Sequence, residues 1–89
     1  MKVEFKRSFT KDLRKIKDKA LLKRVRETIE EVERARSLSE IEGVRKLIGE
    51  DRYYRIRIGD YRIGIIVEEE VTVFVRFLHR RDIYRYFLS

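Results

Sequence analysis

Two alternating runs separated by Gly59-Asp60 constrain this chain more than any other feature. From Tyr53 to Ile58, and again from Tyr61 to Val67, apolar and polar positions take turns. Successive side chains of a strand point to opposite faces, so each run carries one apolar and one polar face. A two-residue Gly-Asp link is of the kind that closes tight hairpins. The pair therefore predicts an antiparallel hairpin with Tyr54, Ile56, Ile58, Tyr61, Ile63, Ile65 and Val67 on its apolar side. Glu68-Glu69-Glu70 reads as the next turn and Val71 to Leu78 as the next strand.

The first half has a different period. Val3 to Arg7 alternates and predicts a short strand. Ser8 or Thr10 is placed to cap a helix carrying Phe9, Leu13 and Ile16 on one face. Asp18 is placed to cap a second, whose apolar stripe is Leu22, Val25, Ile29 and Val32, with Lys23, Arg24, Glu27, Glu30, Glu31 and Glu33 on the solvated side. Ser37-Leu38-Ser39-Glu40 has capping-box spacing and predicts a single turn. Gly43 and Gly49 bracket a short extended piece, Val44 to Ile48, and Arg80 to Leu88 reads as a short C-terminal helix. The order is β-α-α-β-β-β with a possible last helix. This is an α+β domain: a small antiparallel sheet with the helical hairpin on one face and a core including Leu22, Ile29, Ile56, Ile63 and Val73.

At 89 residues the chain fits one domain, 1–89. It has no cysteine, which removes disulfides and thiolate metal sites and suits a reducing, cytoplasmic setting. The first residues lack the apolar stretch of a signal peptide, and no run approaches membrane-span length. A net charge of +7 on so small a surface draws polyanions, so the placement of the arginines matters.

Strand geometry puts Arg55 and Arg57 on one face, about 6.6 Å apart, a spacing that suits neighbouring phosphates held bidentately. Taken alone, a solvated strand face explains the pair as well. Arg62 points to the polar side of the next strand, and Gly64, two residues on, leaves open floor beside it or marks a bulge. Arg80 and Arg81 would open the last helix, where cations are unfavourable unless an anion binds there. Together Arg55, Arg57, Arg62 and Arg80 can converge on one face, with Tyr84 and the single histidine, His79, at its rim. Arginines interleaved with aromatics are the pattern for holding splayed single-stranded RNA. No Gly-rich phosphate loop, carboxylate pair at metal spacing or Ser/His/Asp series stands out, so neither cofactor nor metal is expected.

The segments Ser8-Phe9-Thr10-Lys11-Asp12-Leu13, Lys46-Leu47-Ile48-Gly49, Tyr54-Arg55-Ile56-Arg57-Ile58-Gly59-Asp60-Tyr61-Arg62-Ile63 and His79-Arg80-Arg81-Asp82-Ile83-Tyr84 together resemble the RelE/ParE toxins of type II toxin–antitoxin pairs. The resemblance spans nearly the whole length. It implies metal-independent cleavage of mRNA in the ribosomal A site, with the RNA's own 2′-hydroxyl as nucleophile. It implies working basic residues at Arg55 and Arg57, an arginine at Arg62, another in the His79-Arg80 segment and a C-terminal tyrosine at Tyr84; the expected catalytic residues are Arg62, His79, Arg80 and Tyr84, and the expected RNA contacts Arg55, Arg57, Arg81 and Lys46. Implied partners are a small RelB-like antitoxin with an acidic or amphipathic segment and the message itself. Operator DNA would be reached only through the antitoxin, and no membrane is involved. The chain departs from the family in having Leu78 where many members have glycine, and arginine where some have lysine. Arginine is a poor general base, which moves attention to His79, since imidazole is the side chain best suited to proton transfer near neutral pH. Two other functions compete: a ParE-type inhibitor of DNA gyrase, and a nucleic-acid-binding module without catalysis.

Overall fold

The structure, a computed structural model, describes all residues except 48, 50, 88 and 89. The far ends of the extended piece reaching Ile48 and of the helix reaching Leu88 thus lie outside the described residues. The order is β1 (Lys2–Phe5), α1 (Arg7–Arg14), α2 (Lys19–Arg34), a single 3-10 turn (Leu38–Glu40), β2 (Val44–Lys46), β3 (Tyr53–Ile58), β4 (Tyr61–Glu68), β5 (Val71–His79) and α3 (Ile83–Tyr86). One five-stranded sheet runs β1-β5-β4-β3-β2.

The predicted hairpin is present, with Ile58 opposite Tyr61 and Ile56 opposite Ile63. β2 adds a strand that the β-α-α-β-β-β order lacked, pairing antiparallel with β3. The sheet is mixed rather than antiparallel throughout, because β1 pairs parallel with β5. Only strands joined by a hairpin must reverse direction; β1 is separated from β5 by the two helices and three strands.

Asp18 caps α2 as expected, accepting from the N–H groups of Ala20 and Leu21 at 3.0 and 3.1 Å. α1 begins differently. Its cap residue is Lys6 with no side-chain bond, while Ser8 sits inside the helix and donates to the Val75 carbonyl at 2.6 Å. Both helices cover one sheet face. There Phe9, Val25, Val32, Ile56, Ile58, Ile63, Ile65, Phe74 and Phe77 form the main core, with Leu21 and Ile29 packed against it. Leu22, expected in that core, is only half-buried; Leu21, one helical position back, takes the inward place.

β1 covers the edge of β5 only as far as Phe74. Beyond it, α1 takes over. The Asp12 carboxylate, 6% exposed, accepts from the Phe77 N–H at 2.9 Å and from Arg76 Nε and Nη2 at 2.8 and 3.1 Å. The side chain thereby fills the place of a missing strand partner on an exposed edge. The same carboxylate, by bonding the charged form, raises the Arg76 pKa further.

The opposite face was expected to be polar, and in part it is not. Leu47, Ile83 and Phe87 form a second small core there, with Tyr53, Ile66, Val75 and Leu78 around it. Thus α3 lies on the sheet face away from the helical hairpin.

Candidate nucleic-acid interface

Strand register sets which side chains share the uncovered face, since directly opposed residues point the same way. Arg57 opposes Arg62, and Arg55 opposes both Gly64 on one side and Arg45 on the other. Arg45, Arg55, Arg57 and Arg62 therefore occupy one patch spread over three strands. Arg80 joins it from the turn after β5, where its N–H donates to the Asp60 carbonyl at 2.7 Å and ties that turn to the β3–β4 hairpin.

Arg62 is at the centre. Its Nη1 donates to the Gly59 and Tyr61 carbonyls, both at 2.9 Å, which curls the guanidinium back over the hairpin turn. Its pKa is held below the ordinary arginine value, first by burial and then by the charges of Arg55, Arg57 and Arg80; Tyr84 opposes the shift. Those four side chains thus lie within electrostatic reach of one guanidinium. Arg55 is half-buried, donating from Nη1 to the Gly43 carbonyl at 2.8 Å, while its Nε is buried with no partner. Among the described residues the ion pairs are Lys46–Asp51, Arg52–Glu68 and Arg76–Asp12, so none of the five arginines is neutralised by a carboxylate. Like charges held together without counterions favour an anionic ligand spanning them. Tyr84, 57% exposed, stands beside this cluster with its ring open to solvent, available to a base.

Several expected site residues are elsewhere. Lys46 opposes Tyr54, which places it on the helix side, and it makes an exposed 3.8 Å contact with Asp51. His79 opposes Tyr61, and its ring meets the Tyr61 ring edge-on at 5.5 Å; Tyr61 in turn stacks on core Phe77. Its parity is therefore that of the helix-covered face, at the sheet's end, and its Nδ1 accepts from the Arg81 N–H at 3.2 Å. Arg81 is exposed in the turn. α3 starts only at Ile83 and has one turn, so Arg80 and Arg81 precede the helix rather than open it. The floor beside Arg62 at Gly64 is not open: the Phe87 ring lies over it. Sequence reasoning missed Arg45. Three residues of strand were too few to fix a register, although Val44 and Leu47, on opposite faces, carried the signal.

No three His, Cys, Asp or Glu side chains among the described residues gather as metal ligands. Residues 3–84 match the family described as the ParE toxin of type II toxin–antitoxin system, parDE. The chain is 43% identical over 88 residues to Toxin RelE3 of Methanocaldococcus jannaschii, covering 98% of this chain and 99% of that one. Its fold matches the RelB–RelE antitoxin–toxin complex from Methanococcus jannaschii at TM-score 0.82 and 40% identity, over 94% of this chain and 98% of the other. The archaeal RelE–RelB complex from Pyrococcus horikoshii matches at TM-score 0.73 and 26% identity, over 89% and 93%.

Proposed function

This chain belongs to the RelE/ParE family of type II toxin–antitoxin toxins, and from that membership we propose that it is an endoribonuclease that cuts mRNA on the ribosome. It is the toxin of such a pair, and its partner is a RelB-like antitoxin. The observation that carries the nuclease reading is the strand register that puts Arg55, Arg57 and Arg62 on one face, with Arg80 tied to the same hairpin turn and Tyr84 within electrostatic reach of Arg62.

The chemistry suited to that patch uses the RNA as its own nucleophile. The 2′-hydroxyl gives up its proton to water as its oxygen attacks the adjacent phosphorus, the bond to the 5′-oxygen breaks with that oxygen taking up a proton, and the ends become a 2′,3′-cyclic phosphate and a 5′-hydroxyl. Charge builds on the phosphorane oxygens, where Arg62 and Arg80 stabilise it more than they stabilise the ground state. Arg45, Arg55 and Arg57 hold the flanking phosphates. Tyr84 stacks on a base and passes a proton to the leaving oxygen. The scheme requires no metal. His79, on the other parity, remains a proton-transfer candidate only through the turn that carries Arg80.

Toeprinting a translated message with purified protein tests this. Truncation within the A-site codon is expected, and a single 2′-deoxy substitution 5′ of the cut should abolish it; efficient cutting of the deoxy message would overturn the mechanism. The family description that matches residues 3–84 carries the ParE name, so a gyrase supercoiling assay is the companion experiment. Inhibition of supercoiling with no RNA cleavage would favour that second reading.

A further inference from the structure

Gly64 lies in the middle of β4, buried, and is not among the glycines with positive φ. Its backbone therefore makes no demand for glycine. The demand is spatial: a Cβ built there would lie 2.7, 2.8 and 2.9 Å from Cδ2, Cγ and Cε2 of the Phe87 ring, closer than real Cβ contacts come. The register shift between Gly64 and Ile65, where β5 carries an extra residue, lies beside the same spot. A missing side chain and a bulge together make a socket in the sheet, and one ring occupies it.

Phe87 does not sit there alone. Its N–H closes onto the Ile83 carbonyl at 3.0 Å, and its ring meets Tyr53 at 5.3 Å. Ile83 is fully buried and Phe87 is 7% exposed, four residues apart and so on one side of the turn. Tyr84, between them in sequence, is left facing outward. Gly64 and Arg62 share a face two residues apart on β4, about 6.6 Å along the strand. The seat is thus adjacent to the centre of the arginine patch, and the seated turn carries Tyr84 and follows directly on Arg80.

We propose that Phe87 is a positioning residue for the cleavage reaction: seated over Gly64, it fixes the turn that presents Tyr84 and Arg80 to Arg62. This rests on the nuclease reading above. Phe87 touches no reacting atom; its effect passes through Tyr84 and Arg80. Gly64 is the matching half, absent of side chain so that the ring can close down. Two physical consequences follow. Filling the socket should displace the turn while leaving the main core, on the other face, intact. Shortening the ring should make room again.

Single-turnover cleavage on programmed ribosomes, with melting measured alongside, tests this in Gly64→Ala, Phe87→Leu, the double variant, and each of these combined with Tyr84→Phe. Gly64→Ala should lower the maximal rate about 10- to 100-fold with the half-saturating concentration changed less than about threefold, because the phosphate-holding arginines stay in place. Phe87→Leu in the Gly64→Ala background should recover most of that loss. Tyr84→Phe, costly in the wild type, should add almost nothing in Gly64→Ala, because the hydroxyl is already displaced. If Gly64→Ala does not fold, Phe87→Leu alone carries the test through its own maximal rate and its coupling to Tyr84→Phe. Folded single variants, Gly64→Ala and Phe87→Leu, that cut at the wild-type rate, or a Tyr84→Phe effect undiminished in them, would overturn the role of Phe87. An inactive wild type would overturn the nuclease reading itself, which separates the two failures.

Discussion

The two faces of this sheet are written in the same strands, one residue out of step. On one side Ile56, Ile58, Ile63 and Ile65 are buried under the helices; on the other Arg55, Arg57 and Arg62 stand almost alternately between them. The helix-covered face keeps matched apolar rows, a capped α2 and a satisfied buried acid. The other breaks a local rule, gathering five arginines without a carboxylate among the described residues. A departure of that kind costs stability and persists where it serves a function. The comparison sets the main core on one side and the proposed chemistry on the other, and it can be broken from either.

The largest expected effect comes from moving the arginine pattern across. Ile63→Arg buries an unpaired charge in a fully covered position and should cost at least about 5 kcal/mol, comparable to the whole stability of a domain this size. Loss of the cooperative melting transition is the expected result; a folded variant would show that the helix side is not the structural face. Next is Asp12→Ala. It orphans Arg76 and the Phe77 N–H, and breaking such a pair costs about 3–5 kcal/mol, read as a drop in melting temperature of more than about 10 °C. A change of only a degree or two would mean that the β5 edge is held by other contacts.

The smaller effects belong to the rim. Tyr84→Phe keeps the ring and removes the hydroxyl; if it transfers the proton, cleavage falls about 100-fold while melting holds. Lys46→Ala, on the helix side, should change both cleavage and melting little, with stability within about 0.5 kcal/mol of wild type. A large loss of RNA cutting in Lys46→Ala would put part of the RNA path on the face that the register excludes.

How much of this the sequence held depends on the length of each pattern. The six-residue run of β3 and the eight of β4 fixed their faces and their register, because a Gly-Asp link leaves only one way to pair them. Asp18 announced α2 for the same local reason. The one-turn α3 and three-residue β2 carry too few positions to set a phase, so Arg45 and Leu47 went unassigned and Lys46 was placed with the arginines. His79, expected at the rim of the arginine face, takes the parity of the helix-covered face instead, because proximity in sequence to Arg80 does not survive the change of direction at the end of β5. Gly64 was legible as a special position, but its cause, a ring 23 residues away, is a tertiary fact that no local pattern contains.

The most direct test sets stability against chemistry at the centre of the patch. Arg62→Ala and Arg80→Ala should each melt within a few degrees of wild type, since neither side chain belongs to the main core. Each should lose about 100- to 1,000-fold in ribosome-dependent cleavage, the usual consequence of removing one donor to a developing oxyanion. Wild-type cleavage rates in both variants would contradict the assignment of this face to the chemistry.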